Sequence, residues 1–325
     1  MRNKLTFSNK IVNLISIIPL GGCYSFLGNV LLKDKITIFT YHDVSNDPSE
    51  FSKAFDLNTN PDVFDYQIRF ITGEFNIVSP DDLLKNSLPQ KAALITFDDG
   101  FYSYFKNAIP ILKKHKIPSM IFLNMSPIKG SVFWAGLICY LWNKRADFKK
   151  FIISQSQGKA KKKISFLNCD KRIVAAYLDM IDEDMDEEVS NYVGRFATEK
   201  ELAEASTNSF VYYGNHLFDH DVPLLLSDEE LVSSYLRNRE ELKKYANYRD
   251  MFSFPFGQPG TCFSNKQADL LIKNGVKKVF STSGKMNSDV GSTYLNRLSL
   301  STSSVTKEKI WLKIFYQILK GQITY

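Results

Sequence analysis

Ala93-Leu94-Ile95-Thr96-Phe97-Asp98-Asp99-Gly100 is a short apolar run that ends abruptly in two carboxylates and a glycine. A continuous apolar stretch closed by a turn signal suits a strand covered on both faces of a sheet. Asp98 and Asp99 then stand where that strand meets its turn. Side chains alternate along a strand, so neighbouring acids start out pointing apart and are free to take different jobs. An Asp in this place also suits the N-cap of a following helix. The rest of the chain decides between these readings.

Upstream, Ile36-Thr37-Ile38-Phe39-Thr40-Tyr41 is rich in β-branched and aromatic residues and reads as a strand running into His42-Asp43. Apolar spacing predicts a helix over 62–72, a strand over 75–78 and a short helix opened by Pro80. Beyond the acidic pair a helix is expected over 103–115 and a buried strand over 119–124. The alternation resumes with strands at 210–213, 251–254, 276–281 and 294–300, and with helices at 227–245, 265–273 and 307–319. Strands separated by helical crossovers imply parallel strands, so the fold class expected is α/β, a sheet or a barrel.

Residues 131–209 break the rhythm with mostly helical patterns, a basic cluster (Lys159, Lys161, Lys162, Lys163) and an acidic run from Asp182 to Glu188. They read as a helical insertion whose charge runs are solvated surface. Residues 35–325 form the barrel unit, and residues 1–34 a leading apolar segment. There Arg2, Lys4 and Lys10 precede a short apolar run that reaches Gly21-Gly22-Cys23. A signal sequence, a span over 11–32 and an amphipathic helix resting on the membrane or on the domain all fit that pattern. A cell-envelope or membrane-associated location is therefore expected over a cytoplasmic one.

With 325 residues, a hydrophobic fraction of 44% and a charged fraction of 23%, the chain can bury a full core. Its formal charge of +6 is spread out, with no basic stripe interleaved with aromatics, so no nucleic-acid partner is expected. Cys23, Cys139, Cys169 and Cys262 lack C-x-x-C spacing and define neither a zinc knuckle nor a disulfide framework.

Three of the four histidines, His42, His216 and His220, follow predicted strands. In a parallel barrel the C-terminal strand ends share one mouth, where Asp98 and Asp99 also open. His115, in a basic helix end, reads as a surface cation. On a helical turn, His216 and His220 lie on one face, the spacing that lets two imidazoles share a metal. Alone, the pair equally suits a turn with both rings bonded to backbone. Beside an acidic strand end it reads as a site with two histidines and one carboxylate, leaving coordination positions open, as a catalytic zinc site requires.

Thr96-Phe97-Asp98-Asp99-Gly100, Gly214-Asn215-His216-x-x-x-His220 and Phe254-Pro255-Phe256-Gly257 resemble, in order, the motifs of the polysaccharide deacetylases, carbohydrate esterase family four. The resemblance spans roughly residues 35–300 and implies an α/β fold, a distorted (β/α)7-type barrel with a mainly helical insertion. It implies Asp99, His216 and His220 as ligands of a divalent metal, zinc by expectation, and Asp98 as general base. The backbone N–H of Phe256 would help hold the oxyanion. Within the family a Ser or Thr usually stands where this chain has Leu217, an Arg where it has Ser253, and a late His serves as general acid. Tyr41-His42-Asp43 is similar to the opening of the bacterial poly-N-acetylglucosamine deacetylases, which implies His42 as the acid. Arg297, in Asn296-Arg297-Leu298, resembles an arginine near the end of such domains. The activity implied is removal of acetyl groups from N-acetylated amino sugars of a glycan. Leu217 and Ser253 leave a carbohydrate-binding pseudoenzyme as the alternative, and an O-deacetylase or amidase as another.

Overall fold

The computed structural model describes residues 21–85, 88–155, 171–289, 291–300 and 302–322. Ten strands occur among them: β1 (Ile36–Tyr41), β2 (Asp43–Val44), β3 (Asn58–Thr59), β4 (Asn76–Ile77), β5 (Ala92–Phe97), β6 (Ser119–Leu123), β7 (Val211–Asn215), β8 (Tyr248–Ser253), β9 (Lys278–Ser281) and β10 (Tyr294–Ser299). The order β1-β10-β9-β8-β7-β6-β5 closes on itself through a parallel β1–β5 pairing, giving a seven-stranded barrel. That is the expected α/β class. Along one edge of β5 all six residues pair with β1. The other edge is shared between β4, at Ala92 and Ala93, and β6, from Ile95 onward.

The two faces of each strand have different partners because side chains alternate. Ile38, Leu94, Met120, Phe280 and Leu295 form one buried cluster that fills the barrel interior. Phe39, Ile95 and Phe97 join Phe64, Ile68 and Trp311 of the surrounding helices in another. Tyr41, Phe64 and Phe97 are in mutual ring contact at 4.9–5.8 Å, a geometry that adds to simple area burial.

The helix expected over 103–115 is split into a π-helical turn, Tyr104–Ala108, and an α-helix, Ile109–Lys114. Pro110 accounts for the break, since it has no N–H to offer the carbonyl of Lys106. Between β6 and β7 lie the helices Trp134–Lys144, Ala146–Gln155, Lys171–Ile181, Asp186–Val193 and Glu199–Ser206. Phe148, Val174, Tyr177 and Val189 give this segment its own core, which also takes in Phe51 from the helix Glu50–Phe55. The acidic stretch is solvent-exposed, as expected; the basic cluster at 159–163 lies outside the described residues.

Residues 1–20, which carry the signal reading and the first part of the span over 11–32, also lie outside the described residues. A helix, Gly21–Leu31, sits against the terminal helix Lys307–Gln322: Tyr24 stacks on Phe315, and Gly28 faces Trp311 too closely for any side chain. Among the described residues no helix is long and apolar enough to cross a membrane.

Candidate active site

Alternation along β5 sends Thr96 and Asp98 into the barrel, where Thr96 Oγ1 donates to the carbonyl of Phe39 at 2.8 Å. Continued extension would send Asp99 outward with Ile95 and Phe97. Instead Asp99 takes a left-handed φ of +75°, and its carboxylate joins the mouth. Gly100 follows at φ +103°, where a Cβ would also press on Leu123 and Ile128, so only glycine fits this turn.

The segment carrying His216 and His220 is not a helical turn. It is a bent loop in which Leu217 and His220 both have left-handed φ, +62° and +59°. Side-chain amides explain the departure. Asn215 Oδ1 accepts from the Leu217 N–H at 3.0 Å, and Asn124 Nδ2 donates to the carbonyls of His216 and Leu217. Carbonyls held this way are drawn away from helical bonding. Asn238 Nδ2 completes the buried network with bonds to Asn215 Oδ1 and to the carbonyl of Leu123. Leu217 turns from the mouth into an apolar cluster with Leu231, Tyr235 and Phe252.

His216 Nδ1 lies 2.7 Å from the carbonyl of Ser253, so that nitrogen carries the proton and Nε2 keeps its lone pair. Nε2 of His216 and Nε2 of His220 stand 3.5 and 3.2 Å from Asp99 Oδ1. One ligand atom from each of Asp99, His216 and His220 fits within a 4.8 Å separation, and all three residues are buried. Asp99 Oδ1 has no hydrogen-bond partner despite its burial. A buried carboxylate oxygen without a donor is costly, and a cation shared with the two imidazoles would relieve it. The residues present therefore fit a divalent metal. Burial pushes His220 below the ordinary imidazole pKa, against the pull of Asp99, which favours the neutral ring a metal needs. Asp99 is held well below the usual carboxylate range: burial opposes its charge, but the two imidazoles beside it, His216 and His220, outweigh that.

Arg297, on β10, reaches across the barrel to Asp98. Its Nη1 and Nη2 donate to Asp98 Oδ1 and Oδ2 at 2.7 and 2.6 Å, and Nη2 also reaches Ser253 Oγ at 2.7 Å. The guanidinium missing from position 253 is thus supplied by another strand, and the small Ser253 leaves room for it. Burial raises the Asp98 pKa, but Arg297 and the nearby imidazoles bring it below the ordinary value. His42 follows β1, with Nε2 3.7 Å from Asp98 Oδ2 and a side chain 21% exposed, on the open side of the acid. Phe256 adopts a left-handed φ of +60° and its ring meets His220 at 4.7 Å. His115 lies outside this group, with Nε2 2.9 Å from Asp65 Oδ1 on the outer helices.

All six residues expected from the sequence, His42, Asp98, Asp99, His216, His220 and Phe256, line one cavity of about 390 Å³, together with Arg297. Asn124 and Asn238 went unseen in the sequence. Asn124 follows β6 and Asn238 sits within the helix Asp228–Leu242, so no local pattern marks either. Four non-glycine residues with left-handed φ (Asp99, Leu217, His220 and Phe256) gather here, where strain is commonly stored for function.

No curated protein matches the chain in sequence. Among solved structures, the fold is similar to that of IcaB from Ammonifex degensii, with 17% identity, 86% of this chain and 97% of that chain covered, and a TM-score of 0.56. The Streptococcus pyogenes deacetylase PplD, solved with acetate, has 18% identity, coverage of 86% and 99%, and a TM-score of 0.57. A de-N-acetylase from Aggregatibacter actinomycetemcomitans has 17% identity, coverage of 85% and 100%, and a TM-score of 0.55. A polysaccharide deacetylase family profile matches residues 85–279, the stretch that begins just before β5 and runs past both histidines and Phe256 to β9. On that match, and with its acidic strand end and histidine loop meeting at one mouth, the chain belongs to the polysaccharide deacetylase family, hydrolases of carbon–nitrogen bonds other than peptide bonds.

Proposed function

We propose that this protein is a metal-dependent hydrolase that removes acetyl groups from N-acetylated amino sugars of a glycan. The observation carrying this reading is the convergence of Asp99, His216 and His220 within 4.8 Å, beside a carboxylate locked in place by Arg297. A divalent ion, zinc in this proposal, would be held by those three residues and would supply Lewis acidity toward an acyl carbonyl and a water.

The remaining roles belong to the chain. Asp98 takes the proton of the attacking water: it is ionised at neutral pH, and a carboxylate has lone pairs to spare beyond the two that Arg297 uses. The Phe256 N–H helps hold the developing oxyanion, a contribution worth roughly 3 kcal/mol in comparable sites. His42, with Nε2 3.7 Å from Asp98 Oδ2 in the same cavity, gives a proton to the departing amine. Acetate and a free amino sugar result. The acetate in the PplD structure is consistent with that product. Arg297 supports an intact base over the pseudoenzyme reading, because it gives Asp98 the guanidinium partner that Ser253 does not supply.

Contact with a membrane surface belongs to the same proposal. Phe26, Leu27 and Val30 are exposed on the leading helix, and Tyr316 and Leu319 on the terminal helix beside it. Acetate release from N-acetylglucosamine oligomers, with and without chelator, tests the reaction. Chelator-sensitive release supports it, and silence on every N-acetylated glycan with zinc present contradicts it.

A further inference from the structure

The cavity at the mouth is larger and more apolar than an acetyl group needs. One wall is a run of aromatic rings leading away from the histidine pair. Phe133, from the insertion, lies 5.1 Å from the His220 ring; Phe51 lies 5.9 Å from Phe133, and Phe55 5.0 Å from Phe51. Ala135 and Cys139, on the helix Trp134–Lys144, border the same space. A wall of this composition has little to offer sugar hydroxyls and suits hydrocarbon. A lipid carrier joined through phosphate fits poorly. Among the described residues lining the cavity Arg297 is the one permanent cation, and its guanidinium is engaged by Asp98 and Ser253.

We infer that the same site also accepts amides whose acyl chain is longer than acetyl and turns them over better, the chain lying along Phe133, Phe51 and Phe55. This rests on the hydrolase reading above and extends it to the acyl group. The chemistry is unchanged. Water adds its oxygen to the acyl carbon, the carbon–nitrogen bond breaks, the nitrogen departs with a proton, and a fatty acid and a free amine are released. The helical insertion supplies one side of the pocket, so it selects the acyl group as well as covering the barrel.

The test is a series of N-acyl glucosamines, from acetyl through butanoyl and hexanoyl to octanoyl, assayed with the zinc-supplemented full chain. Each buried methylene is expected to raise kcat/KM by about fourfold until the pocket is full, through KM. Cys139→Phe should move the optimum to shorter chains and Phe55→Ala to longer ones, with metal content equal to wild type. A series in which acetyl is the best substrate and every longer chain is slower overturns the inference while leaving the deacetylase intact. Hydrolysis of no member by protein that still releases acetate from N-acetylglucosamine oligomers overturns the inference alone, and silence on both overturns both readings.

Discussion

Arg297 grips Asp98 through both carboxylate oxygens at 2.7 and 2.6 Å, although the two residues stand 199 positions apart. They meet because β10 and β5 flank β1 in the closed barrel and each turns alternate side chains inward. A fully buried carboxylate in that position needs a fixed counter-charge, and a bidentate guanidinium also fixes its direction.

Removing the arginine should therefore be severe. Arg297→Met leaves Asp98 buried without its partner and is expected to cost about 3–5 kcal/mol of stability. Arg297→Lys keeps the charge but loses the fork, and should fold while turning over roughly 10- to 100-fold more slowly. Denaturant unfolding together with steady-state kinetics separates the two effects. A Lys variant with wild-type kcat would contradict a positioning role.

Asp98→Asn should lower kcat by roughly 10²- to 10⁴-fold while the bound metal stays at the wild-type level, as expected for the loss of a general base. Acetate release and elemental analysis on the same preparation check this.

Asp98 also gives stability an acid limb. Its folded-state pKa lies below the ordinary value, so the unfolded chain takes up the proton first. The contribution is present above the unfolded pKa of about 3.9 and is lost as pH falls through the folded value. Denaturant midpoints should drop between about pH 5 and pH 3, and that slope should be shallower in Asp98→Asn.

His42→Ala should slow the hydrolysis of sugar amides by roughly 10²- to 10⁴-fold. The defect should nearly vanish with an activated aryl ester of acetic acid, whose leaving group needs no proton. An equal loss on both substrates would remove His42 from the role of acid.

Much of this was legible in the sequence because the signals are local. The apolar run ending in Asp98-Asp99-Gly100 marks a strand end, and the strand–helix alternation marks the barrel. The helix expected for His216–His220 failed because helical spacing between two histidines carries no information about the amides around them. Asn124 lies 92 residues from His216, and its bonds to the loop carbonyls cannot be read from either stretch alone. Leu217 and His220 take left-handed φ without being glycine, so nothing in the residue types announces the bend. Ser253 looked like a loss until the fold set Arg297 beside it, a compensation across 44 positions.

Metal stoichiometry bears most directly on the claim that one carboxylate and two imidazoles share an ion. Elemental analysis of the purified protein and of Asp99→Asn, His216→Ala, His220→Ala and Asp98→Asn should find one divalent ion per chain in the wild type and in Asp98→Asn, and almost none in the other three. Full occupancy in the His216 or His220 variant, or no ion in the wild type after zinc loading, would contradict it.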